Sequence, residues 1–244
     1  MNIMRKGSEA ARLENSIGTI KYVIFCLSAI LWLLGACMFG FSIWLRLEPG
    51  FQEWVAWLEI EKFYVGIYIL MFAAMFVMII AFVGCAAALM EHVTALYIHI
   101  GLQGFCFLLG IIGSAILLDF STYDSQIQPI VRRSMYALIS NSYQDQPAYI
   151  LRMVQENIGC CGADGPMDYL DFMKPLPTEC RDTVTGNAFF HGCVEELTWF
   201  LEGRASWLAG LALSLCMLHV IQAVLSLTLI QAKQKENEAA IFKR

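Results

Sequence analysis

Cys160, Cys161, Cys180 and Cys193 are the residues whose type and spacing carry recognisable chemistry, because thiols so placed either bind a metal or form disulfides. Zinc fails on spacing. Cys160 and Cys161 are neighbours and do not supply the separated ligand pairs of common zinc folds. Four cysteines allow three disulfide connectivities, and bonding the two neighbours to each other would be strained. A crossed and a nested arrangement remain, and spacing alone does not choose between them. Other reactive groups are few. His191 is the only histidine in the segment 119–204, no glycine-rich phosphate loop occurs, and His99 and His219 lie in apolar runs without a second ligand at useful spacing. No catalytic residue and no metal site is assigned, and the chain is not read as an enzyme.

The elements that must position these cysteines follow from composition. Of 244 residues 58% are apolar and only 15% charged, far from the balance of a soluble domain. Sixteen Lys and Arg against 21 Asp and Glu give a net charge of −5, which argues against nucleic acid as a partner. Segments 22–45, 63–90, 95–118 and 205–230 contain no Asp, Glu, Lys or Arg, and each reaches the roughly 20 residues that a helix needs to span a bilayer. Barrel strands would alternate apolar and polar residues over about ten positions, so these runs predict four transmembrane helices. The first is too long for a cleaved leader and lacks a convincing cleavage site, so it is expected to stay as an anchor.

Basic residues in the flanks set the orientation. The N-terminal tail 1–21 holds Arg5, Lys6, Arg12 and Lys21, and the C-terminal tail 231–244 holds Lys233, Lys235, Lys243 and Arg244. Loop 46–62 holds two basic residues. Both tails are therefore expected in the cytoplasm, with 91–94 a tight cytoplasmic turn. Loops 46–62 and 119–204 then face outward, the second carrying twelve acids against six bases and all four cysteines of the cluster. An oxidising exterior favours two disulfides there.

Polar side chains in the runs are sparse, and none of them ionises as Asp, Glu, Lys or Arg. Ion pathways usually place such groups at membrane depth, so a transporter or channel is only an alternative reading. A ligand-binding cell-surface receptor is the other. His99 and His219 are expected to make helix–helix hydrogen bonds, and Gly35, Gly40, Ala73, Ala74, Gly84 and Ala86 to Ala88 to form a close-packed seam.

Cys160-Cys161-Gly162 in the second, larger outer loop of a four-span chain resembles the signature of the tetraspanin family. The resemblance runs along essentially the whole chain. Ile20-Lys21-Tyr22 opens the first span, Gly84-Cys85-Ala86-Ala87-Ala88 followed by Glu91 is similar to the pattern that ends the family's second span, and Pro177-Thr178-Glu179-Cys180 is similar to its Pro-x-x-Cys. A claudin-like protein is disfavoured because the first loop here is short and has no cysteine. The fold implied is an all-α membrane protein, four transmembrane helices with a small disulfide-stapled helical extracellular domain. The pairing implied is Cys160–Cys193 and Cys161–Cys180.

Within the outer loop, Phe120, Tyr123, Ile127, Ile130 or Val131, and Leu138 recur at helical spacing, with Ser134 as a gap, and predict a helix continuing out of the third span. Pro129 either kinks it or opens a fresh one. A second helix is predicted over 147–157, and a third from Val194 that runs into the fourth span. The segment between Cys161 and Cys193 is rich in Gly, Pro and Asp and predicts turns and loops. Met167, Tyr169, Phe172, Met173, Phe189 and Phe190 there either cover the disulfide core, as expected for about half of them, or form a partner surface, the use to which the family puts this variable region. No N-glycosylation sequon occurs.

By resemblance, Cys85 and Cys26 near the cytoplasmic ends of their spans are lipidation candidates, with S-palmitoyl groups as the modification. Ala86 stands where many relatives carry a second cysteine, so acylation should be light. Many tetraspanins carry an Asn in the first span and an acid in the fourth, facing a sterol-accessible cavity. Ser28 and Gln222 stand at the matching positions and are the sterol-cavity candidates, with a helix-packing hydrogen bond as the alternative use of both. No cofactor is otherwise implied beyond a bound sterol or phospholipid. The resemblance implies a membrane organiser without catalysis that binds membrane proteins laterally, contacts membrane lipids, is a candidate homo-oligomer, and clusters its partners into microdomains or cell junctions at the plasma membrane. Residues 160–169 resemble arthropod members, including those of epithelial junctions.

Overall fold

A computed structural model describes residues 2–48, 51–90, 92–122, 125–182 and 185–241. Glu91, Tyr123, Lys243 and Arg244 lie outside them, as do the side chains of Arg5, Lys6 and Arg12. The elements in chain order are α1 (Asn2–Leu47), α2 (Phe51–Trp57), α3 (Glu61–Met90), α4 (Val93–Asp119), α5 (Ile127–Ser140), α6 (Asp145–Ile158), α7 (Met167–Asp171), a single 3-10 turn (Thr178–Cys180) and α8 (Cys193–Ile241). Among the described residues four stretches are long and apolar enough to cross a membrane: Glu14–Leu47, Glu61–Met90, Val93–Asp119 and Cys193–Glu238. In a hydrocarbon solvent every backbone polar group must be satisfied within the chain, and uninterrupted helix does this residue by residue.

The chain divides into two compact units. One comprises Met1–Gly40, Ile69–Ile111 and Leu211–Arg244, the other Phe41–Tyr68 and Ile112–Gly210. They are called the bundle unit and the loop unit below.

In the bundle unit Ile17, Ile24, Ala87, Ala88, Leu96, Leu229 and Ile230, drawn from α1, α3, α4 and α8, form one buried cluster. Small residues permit the approach. A Cβ added at Gly35 would come within 3.1 Å of Val77 Cγ1, and Ala73 and Ala74 are buried. Gly40 and Ala86 do not belong to this seam: both are exposed, and nothing lies within 4 Å of a Cβ built on Gly40. Five residues of helix turn Gly40 about 140° away from Gly35, onto another face.

The predicted continuation of the third span is interrupted. Helix α4 ends at Asp119, a turn follows with Phe120 N–H and Thr122 N–H bonded to Ile116 O and Leu118 O, and α5 begins afresh at Ile127. Pro129 thus falls in the first turn of a new helix, where its missing N–H has no partner to lose. Helix α5 buries Ile127, Val131, Met135, Leu138 and Ile139 on one stripe, and α6 buries Pro147, Ile150, Leu151 and Val154. Helix α6 lies against α5, α2 and the 3-10 turn. Ser134, the gap in the apolar pattern, is buried for a reason: its hydroxyl donates to Leu58 O at 3.2 Å and fastens α5 to the end of the first loop. Helix α8 is continuous from Cys193 onward, as the sequence predicts. Near its start Arg204 donates to Glu48 at 2.6 Å and stacks over Trp44 and Phe200 at 4.8 and 4.6 Å, joining segments 156 residues apart within the loop unit.

Candidate functional site

The cysteine cluster is built on a helix end. Gly159 closes α6 in the left-handed region at φ +78°, with its N–H bonded to Gln155 O, which turns the chain sharply enough to launch Cys160 and Cys161 toward different partners. Cys160 bonds Cys193 and Cys161 bonds Cys180, and all four sulfurs are buried. Gly162, at φ +70°, sits so close to Gly165 O that no side chain fits.

Three backbone donors then converge on one buried carboxylate. Asp168 Oδ2 accepts the N–H of Ala163 at 2.7 Å, of Asp164 at 2.8 Å and of Gly165 at 3.4 Å. Beside it Asp164 receives Arg132 Nε at 2.9 Å on each carboxylate oxygen and the Tyr136 hydroxyl at 2.9 Å, so the loop after the cysteines is pinned to α5. Burial pushes the Asp164 carboxyl up, but the hydrogen bonds from Arg132 and Tyr136 and the charge of Arg132 outweigh this and hold it below its ordinary value. The Tyr136 hydroxyl is pushed up to about 12, first by its bond to Asp164 and then by burial. Lys174 closes the other end: its ammonium donates to Ile139 O, Ser140 O and Ser142 Oγ at 2.6, 2.7 and 2.9 Å, capping the exposed carbonyls of α5. Sequence reasoning passed over Asp168 and Lys174. Asp168 follows Cys-Cys-Gly-Ala-Asp-Gly-Pro, a turn that leaves backbone donors in need of an acceptor, and that was the available signal.

The segment expected to be loops contains α7, and this helix sorts the aromatic and sulfur residues. Met167 and Met173 are exposed, Met173 to 95%, and Phe172 is partly so. Leu170, which the sequence reading omitted, is exposed three residues after Met167 on the same helix, and Met173 follows just past the helix end at φ +54°. Tyr169 points the other way. It is only 3% exposed, its hydroxyl accepts from Gln155 Nε2 at 2.8 Å, and burial pushes its hydroxyl up to about 12, so it offers no side chain to the surface. Phe189 is half-buried and Phe190 exposed.

In the bundle unit Gln222 Nε2 donates to Ser28 Oγ at 2.7 Å, both side chains buried, and Gln222 Oε1 has no hydrogen-bond partner. The helix–helix bonds expected of the two histidines are not found among the described residues. His99 meets Gln103 at 3.0 Å on its own helix, since i and i+4 share a face, and neither ring nitrogen of His219 has a partner. Cys26 and Cys85 are half-buried free thiols. Among the described residues no group of three or more His, Cys, Asp or Glu is placed to hold a metal.

These features define a class: a four-span, all-α membrane protein whose large loop is stapled by two disulfides that start from adjacent cysteines. The sequence pattern of the Tetraspanin family matches residues 20–232. The chain is 47% identical to Tetraspanin-2A of Drosophila melanogaster, with 96% of each covered. It is 24% identical to the CD81 antigen of Bos taurus, over 89% of this chain and 95% of that one, and 23% identical to the leukocyte surface antigen CD53 of Rattus norvegicus, over 92% and 97%. The chain belongs to the tetraspanin family. It is accordingly a multi-pass, non-catalytic membrane scaffold of a family whose members associate with other membrane proteins and normally carry no cofactor.

Proposed function

We propose that this tetraspanin binds partner membrane proteins laterally through the exposed face of α7 and clusters them, as a homo-oligomer or with other chains, at the plasma membrane and its cell–cell junctions. The observation that carries the reading is the exposure of Met167 and Leu170 on α7 and of Met173 just beyond it, on a base fixed by two disulfides and the Asp168 carboxylate. Flexible thioether side chains re-pack against varied surfaces, and a rigid base limits the entropy lost on binding. The topology proposed places 1–21, 91–94 and 231–244 in the cytoplasm and 46–62 and 119–204 outside. The division of the cysteines supports this: the oxidised pairs lie in the large loop, and the five free thiols lie in the apolar runs.

S-palmitoylation is proposed at Cys85 and Cys26, which are free cysteines and only half-buried. A sterol or phospholipid is proposed to reach Ser28 and Gln222, where the unpartnered Gln222 Oε1 would accept a sterol hydroxyl.

Proximity labelling from the outer face of epithelial cells tests the organiser reading. Membrane-protein neighbours are expected to be lost when Met167, Leu170 and Met173 are all replaced by serine while the protein still reaches the surface. An unchanged neighbour list in that variant would move recognition to the spans.

A further inference from the structure

The loop unit also holds a cavity of about 630 Å³ between α6, with the turn before it, and the chain from Tyr169 to Glu179. Its size falls within the roughly 300–1,000 Å³ of small-molecule sites. Gln155 lines it, fully buried, donating through Nε2 to the Tyr169 hydroxyl while Oε1 has no hydrogen-bond partner. A half-satisfied buried amide is costly. The Tyr169 hydroxyl can either accept from Nε2 or donate to Oε1, so the amide can turn and present an acceptor or a donor to the cavity. A ligand hydroxyl satisfies both orientations.

The walls narrow the chemistry further. Tyr143 and Tyr149 line the cavity at 77% and 49% exposure, offering ring faces whose negative quadrupole attracts polarised C–H groups. The charged lining balances: Asp145 and Glu179 stand against Arg152 and Lys174. Arg152 is held by Glu156 at 3.3 Å and Glu179 at 3.6 Å, and the three Lys174 donors are already engaged. Strongly charged ligands therefore gain nothing here. A neutral molecule with many hydroxyls, planar polar partners and a C–H face to lay on tyrosine fits all of these demands. We propose that this cavity binds a short oligosaccharide, with Gln155 meeting a ring hydroxyl and Tyr149 stacking on a sugar face. The same chemistry is carried by a glycan on a neighbouring glycoprotein and by the head of a glycolipid.

The test is saturation-transfer NMR on the full chain in phospholipid nanodiscs free of glycoside detergents. The probes are N,N′-diacetylchitobiose, the core of protein-linked glycans, and lactose, the core of glycolipid heads. Transfer to the ring C–H protons of at least one is expected, and whichever sugar receives it identifies the source. Tyr149→Ala, an exposed position that leaves the fold intact, should weaken binding at least tenfold, and Gln155→Leu should do the same, while Trp199→Ala leaves it unchanged. Absence of transfer to both sugars, or equal affinity in Tyr149→Ala and wild type, would overturn the proposal.

Discussion

Asp168 accepts the backbone N–H of Ala163 at 2.7 Å, and this bond places a buried carboxylate directly beneath the turn that carries both neighbouring cysteines. The same oxygen serves Asp164 and Gly165, so one side chain orders three consecutive peptide groups. Removing it strands donors that the fold has taken from water. Asp168→Ala is expected to destabilise the loop unit by about 1–3 kcal/mol, read as a lower thermal midpoint of the full chain in nanodiscs. Asp168→Asn keeps one acceptor oxygen and should recover part of the loss. Equal midpoints for all three proteins would remove Asp168 from the account.

The disulfides act on the unfolded chain. They close sequence separations of 33 and 19 residues, which on the chain-entropy model stabilises the loop unit by roughly 3–4 kcal/mol each. Replacing Cys161 and Cys180 together by alanine should therefore cost more than Asp168→Ala. The check is limited proteolysis of the purified chain: cleavage between positions 163 and 190 should appear in the double variant at temperatures where the wild type resists.

The Asp164 carboxyl gives the loop unit an acid-sensitive joint. Its folded value lies below its ordinary value, so the stabilisation is complete above the unfolded carboxylate range near pH 3.9 and drains as pH falls through the folded value. Asp164 is 44% exposed and Arg132 45%, so solvent and salt limit the effect to about 0.5–1 kcal/mol. Asp164→Asn should lose this stabilisation at neutral pH and so flatten this part of the profile, with the two proteins converging at the acid end where Asp164 is protonated. Titrating thermal midpoints from pH 3 to 7 for both proteins decides it; parallel curves would show that other carboxylates set the acid limb.

How much of this was legible in the sequence depended on which force set each feature. The four spans were readable because an uninterrupted apolar run satisfies its backbone in lipid as a helix and lacks the alternation of a barrel strand, and α8 because nothing in 193–230 breaks it. The gap between α4 and α5 was not, since the apolar pattern continues across it and only Pro129 hinted at a new start. Helix α7 was missed because five residues give less than two turns of periodicity. Without the helix the sequence does not sort core from surface among Met167, Tyr169, Phe172, Met173, Phe189 and Phe190, and it does not single out Leu170. Lys174 and Gln155 were invisible for another reason: each acts on groups between 14 and 35 residues away, and no local pattern records such a meeting.

The small-residue seam of the bundle unit supplies the sharpest contrast between two like residues. A Cβ on Gly84 would lie 2.6 Å from His99 Cε1, 2.8 Å from His99 Nε2 and 3.1 Å from Ser28 Oγ, whereas one on Gly40 would meet nothing. His99 is buried and bonded to Gln103, so its ring has little room to retreat, and Ser28 is held by Gln222. Gly84→Ala must therefore displace a histidine, a serine or a helix, which overpacking precedents put at about 1–3 kcal/mol. Gly40→Ala should be neutral or slightly stabilising, because alanine is the better helix former and no neighbour objects. Thermal midpoints of the two variants in nanodiscs make the comparison directly. If Gly84→Ala melts with Gly40→Ala, the close approach of His99 to α3 does not hold the bundle unit together.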